Sequence, residues 1–168
     1  MALYVNEYDI NNEKIVLDLI KLNIPYFKKF EFKQTNKNKT ASFDNYGYLN
    51  NELKVKLEIK TLQINSNKYN VDVWKEPHNM FNFNKAKKFK ESYDNNKDIE
   101  HFIAWYYPKE NIIRILNINK YYEENKKFII KQVKVYHKRA KKSVNSIDVI
   151  IPTKDLEEYS IYENYFYN

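Results

Sequence analysis

The chain has 168 residues, and its 43% hydrophobic and 17% aromatic content is enough to bury a core in one domain without a metal or a cross-link. It contains no cysteine, which excludes disulfides, thiolate metal sites and cysteine nucleophiles and fits a reducing cytoplasm. The net charge of +7, carried almost wholly by lysine, points to a polyanionic partner, and a coding bias toward Lys, Asn, Ile and Tyr explains much of the same lysine.

No apolar run approaches the ~18 residues needed to cross a bilayer. The opening segment, with Glu7 and Asp9, lacks the basic-then-apolar order of a signal peptide. A cytoplasmic location is expected.

In chain order, Val16, Leu17 and Ile20 recur at helical spacing opposite Lys14, Asp18 and Lys21, which predicts a helix over 11–22. Asn11 or Asn12 caps its start and Pro25 closes its exit. A strand over 26–34, a polar loop over 35–39 and a strand over 40–48 follow. Asn50-Asn51 makes the turn into a strand over 53–62, where Leu53, Val55, Leu57 and Ile59 alternate strictly with Lys54, Lys56, Glu58 and Lys60.

A turn near Asn65-Ser66-Asn67 leads to a short strand over 69–74 and a lysine-studded helix over 81–93. Apolar strands over 99–107 and 112–118, joined at Pro108, suit the interior of a sheet. A helical piece over 121–125, a strand over 128–136, a strand over 147–151 and a short helix from Pro152 through 159 complete the pattern. No repeat, linker or composition break divides residues 1–168. The expected architecture is one α/β domain with a central mixed β-sheet flanked by helices.

The chemistry concentrates in the hairpin. Glu58 and Lys60, two residues apart on a strand, project from one face, and Asp44 lies on the paired strand. Two carboxylates on neighbouring strands offer oxygen ligands to a hard cation, and a lysine beside them stabilises charge on a phosphate. An Asp near the end of one strand followed by Glu-X-Lys on the next, here Asp44 then Glu58-Ile59-Lys60, resembles the PD-(D/E)XK (restriction-endonuclease-like) nuclease superfamily. Phe43 stands where the family name has Pro.

The resemblance implies that Asp44 and Glu58 bind Mg²⁺, with Mn²⁺ as a substitute, and that Lys60 stands beside the attacking water. Superfamily members often carry a further acid on the helix before the hairpin. Glu13, on the apolar face of the first helix, is the matching residue, reaching the site through water; a helix-start Glu that favours the positive terminus and points to solvent is the even alternative. The implied restriction-endonuclease-like core covers the chain loosely and about twenty residues specifically.

The stretch containing Lys131, Lys134, Lys138, Arg139, Lys141 and Lys142 holds no acid, and the second helix adds Lys85 and Lys88. These residues are the expected contacts to a phosphate backbone, against the plainer reading of a solvated face. His78, placed in a loop, His101 and His137 show no metal-ligand spacing, and a single glycine rules out a phosphate-cradling loop. The expectation is a Mg²⁺-dependent DNA endonuclease acting as a homodimer or higher homo-oligomer, since cutting both strands of a duplex calls for two sites. The alternatives are a non-catalytic nucleic-acid-binding α/β module and an interaction protein whose lysines only confer solubility.

Overall fold

A computed structural model describes residues 7–35, 44–137 and 141–161 of the chain. The first helix, α1 (Glu7–Asn23), is longer than the sequence pattern predicts, because its polar first turns carry no apolar periodicity. Asn11 and Asn12 therefore lie inside it, and Glu13 is well past its first turn. Pro25 does not merely end the helix: it opens a 3-10 turn over Pro25–Lys29 at the position where its missing N–H costs nothing. That turn takes up the first part of the strand expected over 26–34, and β1 is only Glu31–Gln34.

Strands β2 (Asn45–Leu49) and β3 (Glu52–Thr61) form the expected hairpin. Asn50 and Asn51 both adopt positive φ, 51° and 63°, as a tight two-residue turn requires. The register slips at Gly47, where a Cβ would meet the Phe32 ring at 2.9 Å, so the bulge and the ring's close approach both select glycine. The part of the expected second strand before Asp44 lies outside the described residues.

Residues 69–74 form turns and not a strand. The next strand is β4 (His78–Asn82), whose His78 begins it and is buried, not looped out. α2 (Phe83–Asn95) follows directly, its first turn capped by the Asn82 side chain accepting from Asn84 N–H. β5 (Glu100–Tyr107), β6 (Ile112–Asn117), α3 (Ile118–Glu123), β7 (Ile129–His137) and β8 (Lys142–Pro152) come next. Beyond Pro152 the expected helix is replaced by a 3-10 turn at Thr153–Asp155 and a strand, β9 (Glu157–Ser160). Pairing with β6 overrides the local helical tendency there.

The strands form two sheets. The larger runs β1-β2-β3-β5-β6-β9, with β3 and β5 parallel and every other pair antiparallel. The smaller, β4-β8-β7, was not legible as a separate sheet. The class is α/β with a mixed central sheet.

Alternation along β3 and β5 divides the core in two. Val55, Leu57, Ile59, Phe102 and Ala104 face α1, meeting Val16, Leu17, Leu19 and Ile20. Ile103, Trp105 and Tyr107 face the other way, meeting Ala86 and Phe89 of α2 and Phe81, Val149 and Ile151 of the smaller sheet. Lys56, Glu58 and Lys60 belong to this second face, under α2 and beside the smaller sheet.

Arg114 locks these parts together. It is 7% exposed, and its guanidinium donates to Glu158 (2.9 Å), to the Ser66 carbonyl (2.9 Å), and to Asn79 and Tyr107 (both 3.3 Å). One side chain thus ties the loop after β3 to β4, β5 and β9.

Candidate active site

Asn45 pairs with Leu57, and continuing that register by one residue sets Asp44 across from Glu58. Asp44 is held at both ends. Its Oδ2 accepts a hydrogen bond from the backbone N–H of Ile59 at 3.1 Å, and its carbonyl oxygen accepts from Thr35 N–H at 2.9 Å. Lys60 is half-buried and projects from the same face as Glu58. The hairpin therefore brings Asp44, Glu58 and Lys60 to one end of two paired strands.

α2 adds a fourth group. Lys85, in its first turn, places Nζ 3.0 Å from Glu58 Oε2. The approach lacks the angle of a well-directed hydrogen bond, so Lys85 holds Glu58 by charge. Glu58 is only 7% exposed. Burial pushes its carboxyl up to about 7; the Asp44 charge pushes the same way, and Lys85 and Lys60 oppose both.

Glu13 stands on α1. It belongs to the helix that packs on the other face of the sheet, where it is half-buried with its Oε2 inaccessible to solvent. Among the described residues no group of three or more Asp, Glu or His stands close enough to hold a metal; the two acids that act on one another here are Asp44 and Glu58.

No family model matches the chain, and no curated protein or solved structure matches it either.

Next to the acidic pair runs a polar chain that the sequence pattern does not assemble. Lys56 Nζ donates to Ser92 Oγ at 2.8 Å, and Ser92 Oγ lies 2.8 Å from His101 Nε2. His101 Nδ1 lies 2.8 Å from Asn119 Oδ1, and Asn119 Nδ2 donates to the Ile99 carbonyl at 2.8 Å. That last bond fixes Asn119 Oδ1 as an acceptor. The proton of His101 therefore lies on Nδ1, and in the neutral ring the Ser92 hydroxyl donates to Nε2. Burial lowers the His101 pKa, and the nearby Lys56 charge lowers it further. Burial also lowers that of Lys56. The signal in the sequence was a histidine inside an otherwise apolar strand.

The basic residues divide. Lys131 and Lys134 are both exposed, but odd spacing along β7 sends them to opposite faces. Lys131 pairs across the strand with Asp148 and lies 5.9 Å from the Trp74 ring centroid. Lys134 shares its face with exposed Ile130, Tyr136 and Ile147. Lys141, at φ 48°, and Lys142 are exposed at the β7–β8 turn, while Lys138 and Arg139 lie outside the described residues. Lys85 is engaged with Glu58, and Lys88 lines a pocket beside Lys56. The described lysines do not form one continuous patch.

Proposed function

We propose that the chain is a divalent-metal-dependent DNA endonuclease with a restriction-endonuclease-like core. The observation that carries this reading is the meeting of Asp44 and Glu58 across one hairpin with Lys60 on the same face. Acidic oxygens from adjacent strands suit a hard metal better than a soft one. Asp44 and Glu58 would hold Mg²⁺, or Mn²⁺ in its place. Bound there, the ion supplies Lewis acidity at a phosphate oxygen and a lowered pKa for water.

The chain's own residues do the rest. The Ile59 N–H orients the Asp44 carboxylate before any ligand arrives, so little reorganisation is needed. Lys60, one strand position beyond Glu58 on the same face, donates to a phosphate or to an attacking water. Lys85 pairs with Glu58 and would be available to a phosphate if Glu58 held a cation. Exposed Lys134, Lys141 and Lys142 attract the backbone without reading bases. Two copies of the chain would be needed to cut both strands of a duplex.

A second reading is favoured by one contact. The Lys85–Glu58 ion pair is also what a nucleic-acid-binding module with a disarmed site would contain. Incubation of the protein with supercoiled, linear and branched DNA in Mg²⁺ or Mn²⁺ separates the two. Cutting that disappears in Asp44→Ala, Glu58→Ala and Lys60→Ala, with folding and DNA binding kept, supports the nuclease. Wild-type protein that binds all three substrates and cuts none supports the binding module.

A further inference from the structure

We propose that the pocket between α2 and β3 seats a phosphate group of the nucleic-acid chain neighbouring the one cut, gripped by Lys56 and Lys88. The proposal rests on the nuclease reading for its ligand, and on separate residues for its geometry. The pocket, about 280 Å³, is lined by Tyr46, Lys56, Lys88, Glu91, Ser92 and Asn95. Its two lysines outnumber its one carboxylate, and the remaining polar groups are uncharged.

Position argues for a flanking phosphate. Lys56 precedes Glu58 by two residues on the same face of β3, a separation of roughly 7 Å. On α2, Lys85 and Ser92 are two turns apart, roughly 10 Å, with Lys88 between them. Helix and strand run antiparallel: Lys85 meets Glu58 at one end and Ser92 meets Lys56 at the other. The acidic pair and the basic pocket therefore follow one another along the α2–β3 junction. A polyanionic chain that places one phosphate at Asp44 and Glu58 and continues along that junction brings another to Lys56.

The way Lys56 is held argues against a solubilising role. A lysine needed only for solubility extends into water. The ammonium of Lys56 is instead fixed by Ser92, which is fixed by His101, which is fixed by Asn119, which is anchored to the backbone at Ile99. His101 and Asn119 are buried, at 0% and 4% exposure. A buried, fully connected polar chain is costly to build and gives positional definition in return. It ends on a cation, 5.6 Å from the Tyr46 ring centroid, at the mouth of a pocket.

The test measures binding of a fluorescent DNA oligonucleotide to the full chain by anisotropy, in EDTA and across a KCl series. Lys56→Gln is expected to weaken binding on every sequence and to reduce the slope of log K against log[salt] by about one, as loss of one phosphate contact does. Lys56→Arg retains the slope. Lys88→Gln, at the second cation of the pocket, moves affinity and slope in the same direction and serves if Lys56→Gln fails to fold. An unchanged slope in a folded Lys56→Gln, or in Lys88→Gln where Lys56→Gln does not fold, overturns the proposal, as does wild-type protein that does not bind DNA. Wild-type cutting in Mg²⁺ with an unchanged slope removes the pocket and leaves the nuclease. A reduced slope with no cutting removes the nuclease and leaves the pocket.

Discussion

Asp44 and Glu58 face one another across the β2–β3 hairpin, one carboxylate tied to the Ile59 N–H and the other buried against the Lys85 ammonium. Burial first, and the neighbouring Asp44 charge second, push the Glu58 carboxyl from 4.5 up to about 7.

That shift makes stability depend on pH in a definite direction. An acid whose pKa is raised by folding favours the protonated fold, so its contribution is full below 4.5 and is lost as pH rises through about 7. In EDTA, wild-type protein is predicted to lose a few kcal/mol relative to Glu58→Gln between about pH 5 and about pH 8. Urea denaturation of both proteins at the two pH values measures the difference. Parallel behaviour would mean that Glu58 is not perturbed.

The Lys85 ion pair opposes the upward shift. Removing it in Lys85→Gln leaves burial and the Asp44 charge acting alone, so the Glu58 midpoint should move higher still. Carboxyl ¹³C chemical shifts followed through a pH titration read the midpoint directly. A midpoint equal to or below that of wild type would show that Lys85 does not hold Glu58 in solution.

Beside Asp44, Asn45 is fully buried, with neither its side-chain oxygen nor its nitrogen hydrogen-bonded. A buried polar group in that condition costs about 1–3 kcal/mol. Asn45→Leu, of similar shape, is predicted to raise the denaturation midpoint by a stabilisation of that order. If Asn45 is retained for the site, the stabilised variant cuts more slowly than wild type. A destabilised Asn45→Leu would mean that Asn45 makes contacts that outweigh this cost.

The hairpin was legible because each of its features has a local cause. Strict alternation along β3 follows from a strand with one dry face, Asn50-Asn51 tolerates positive φ, and Asp44 falls opposite Glu58 once those two are placed. The smaller sheet was not legible. His78-Asn79-Met80 lacks β-branched residues, and the strand exists because it pairs with the apolar half of β8. Tyr26 and Phe27 fit a strand by composition, and the 3-10 turn there is set by Pro25 at its start and the packing of Phe27 against Phe102 and Phe32. Lys85 and Ser92 came into the site through tertiary packing alone. Nothing in the spacing of α2 indicates which strand residues lie beneath it.

Arg114 gives a stability prediction independent of the site. Arg114→Ala strips partners from Glu158, Asn79, Tyr107 and Ser66 at once and leaves a cavity, a predicted loss of roughly 3 kcal/mol or more. Glu158→Gln removes only the half-exposed end of the cluster and should cost under about 1 kcal/mol. Chemical denaturation of the pair tests the contrast. Equal losses would mean that the Glu158 contact carries the whole effect.

The central claim is that Asp44 and Glu58 form one cation site. Titration of Mn²⁺ into the protein at about pH 8, followed by electron paramagnetic resonance, tests it without requiring any substrate. Wild-type protein is predicted to bind one Mn²⁺ per chain, with affinity falling roughly ten-fold or more in Asp44→Asn and in Glu58→Gln, and largely kept in Lys60→Gln. Equal Mn²⁺ binding by wild type and both carboxamide variants, or none by any of them, would contradict the claim.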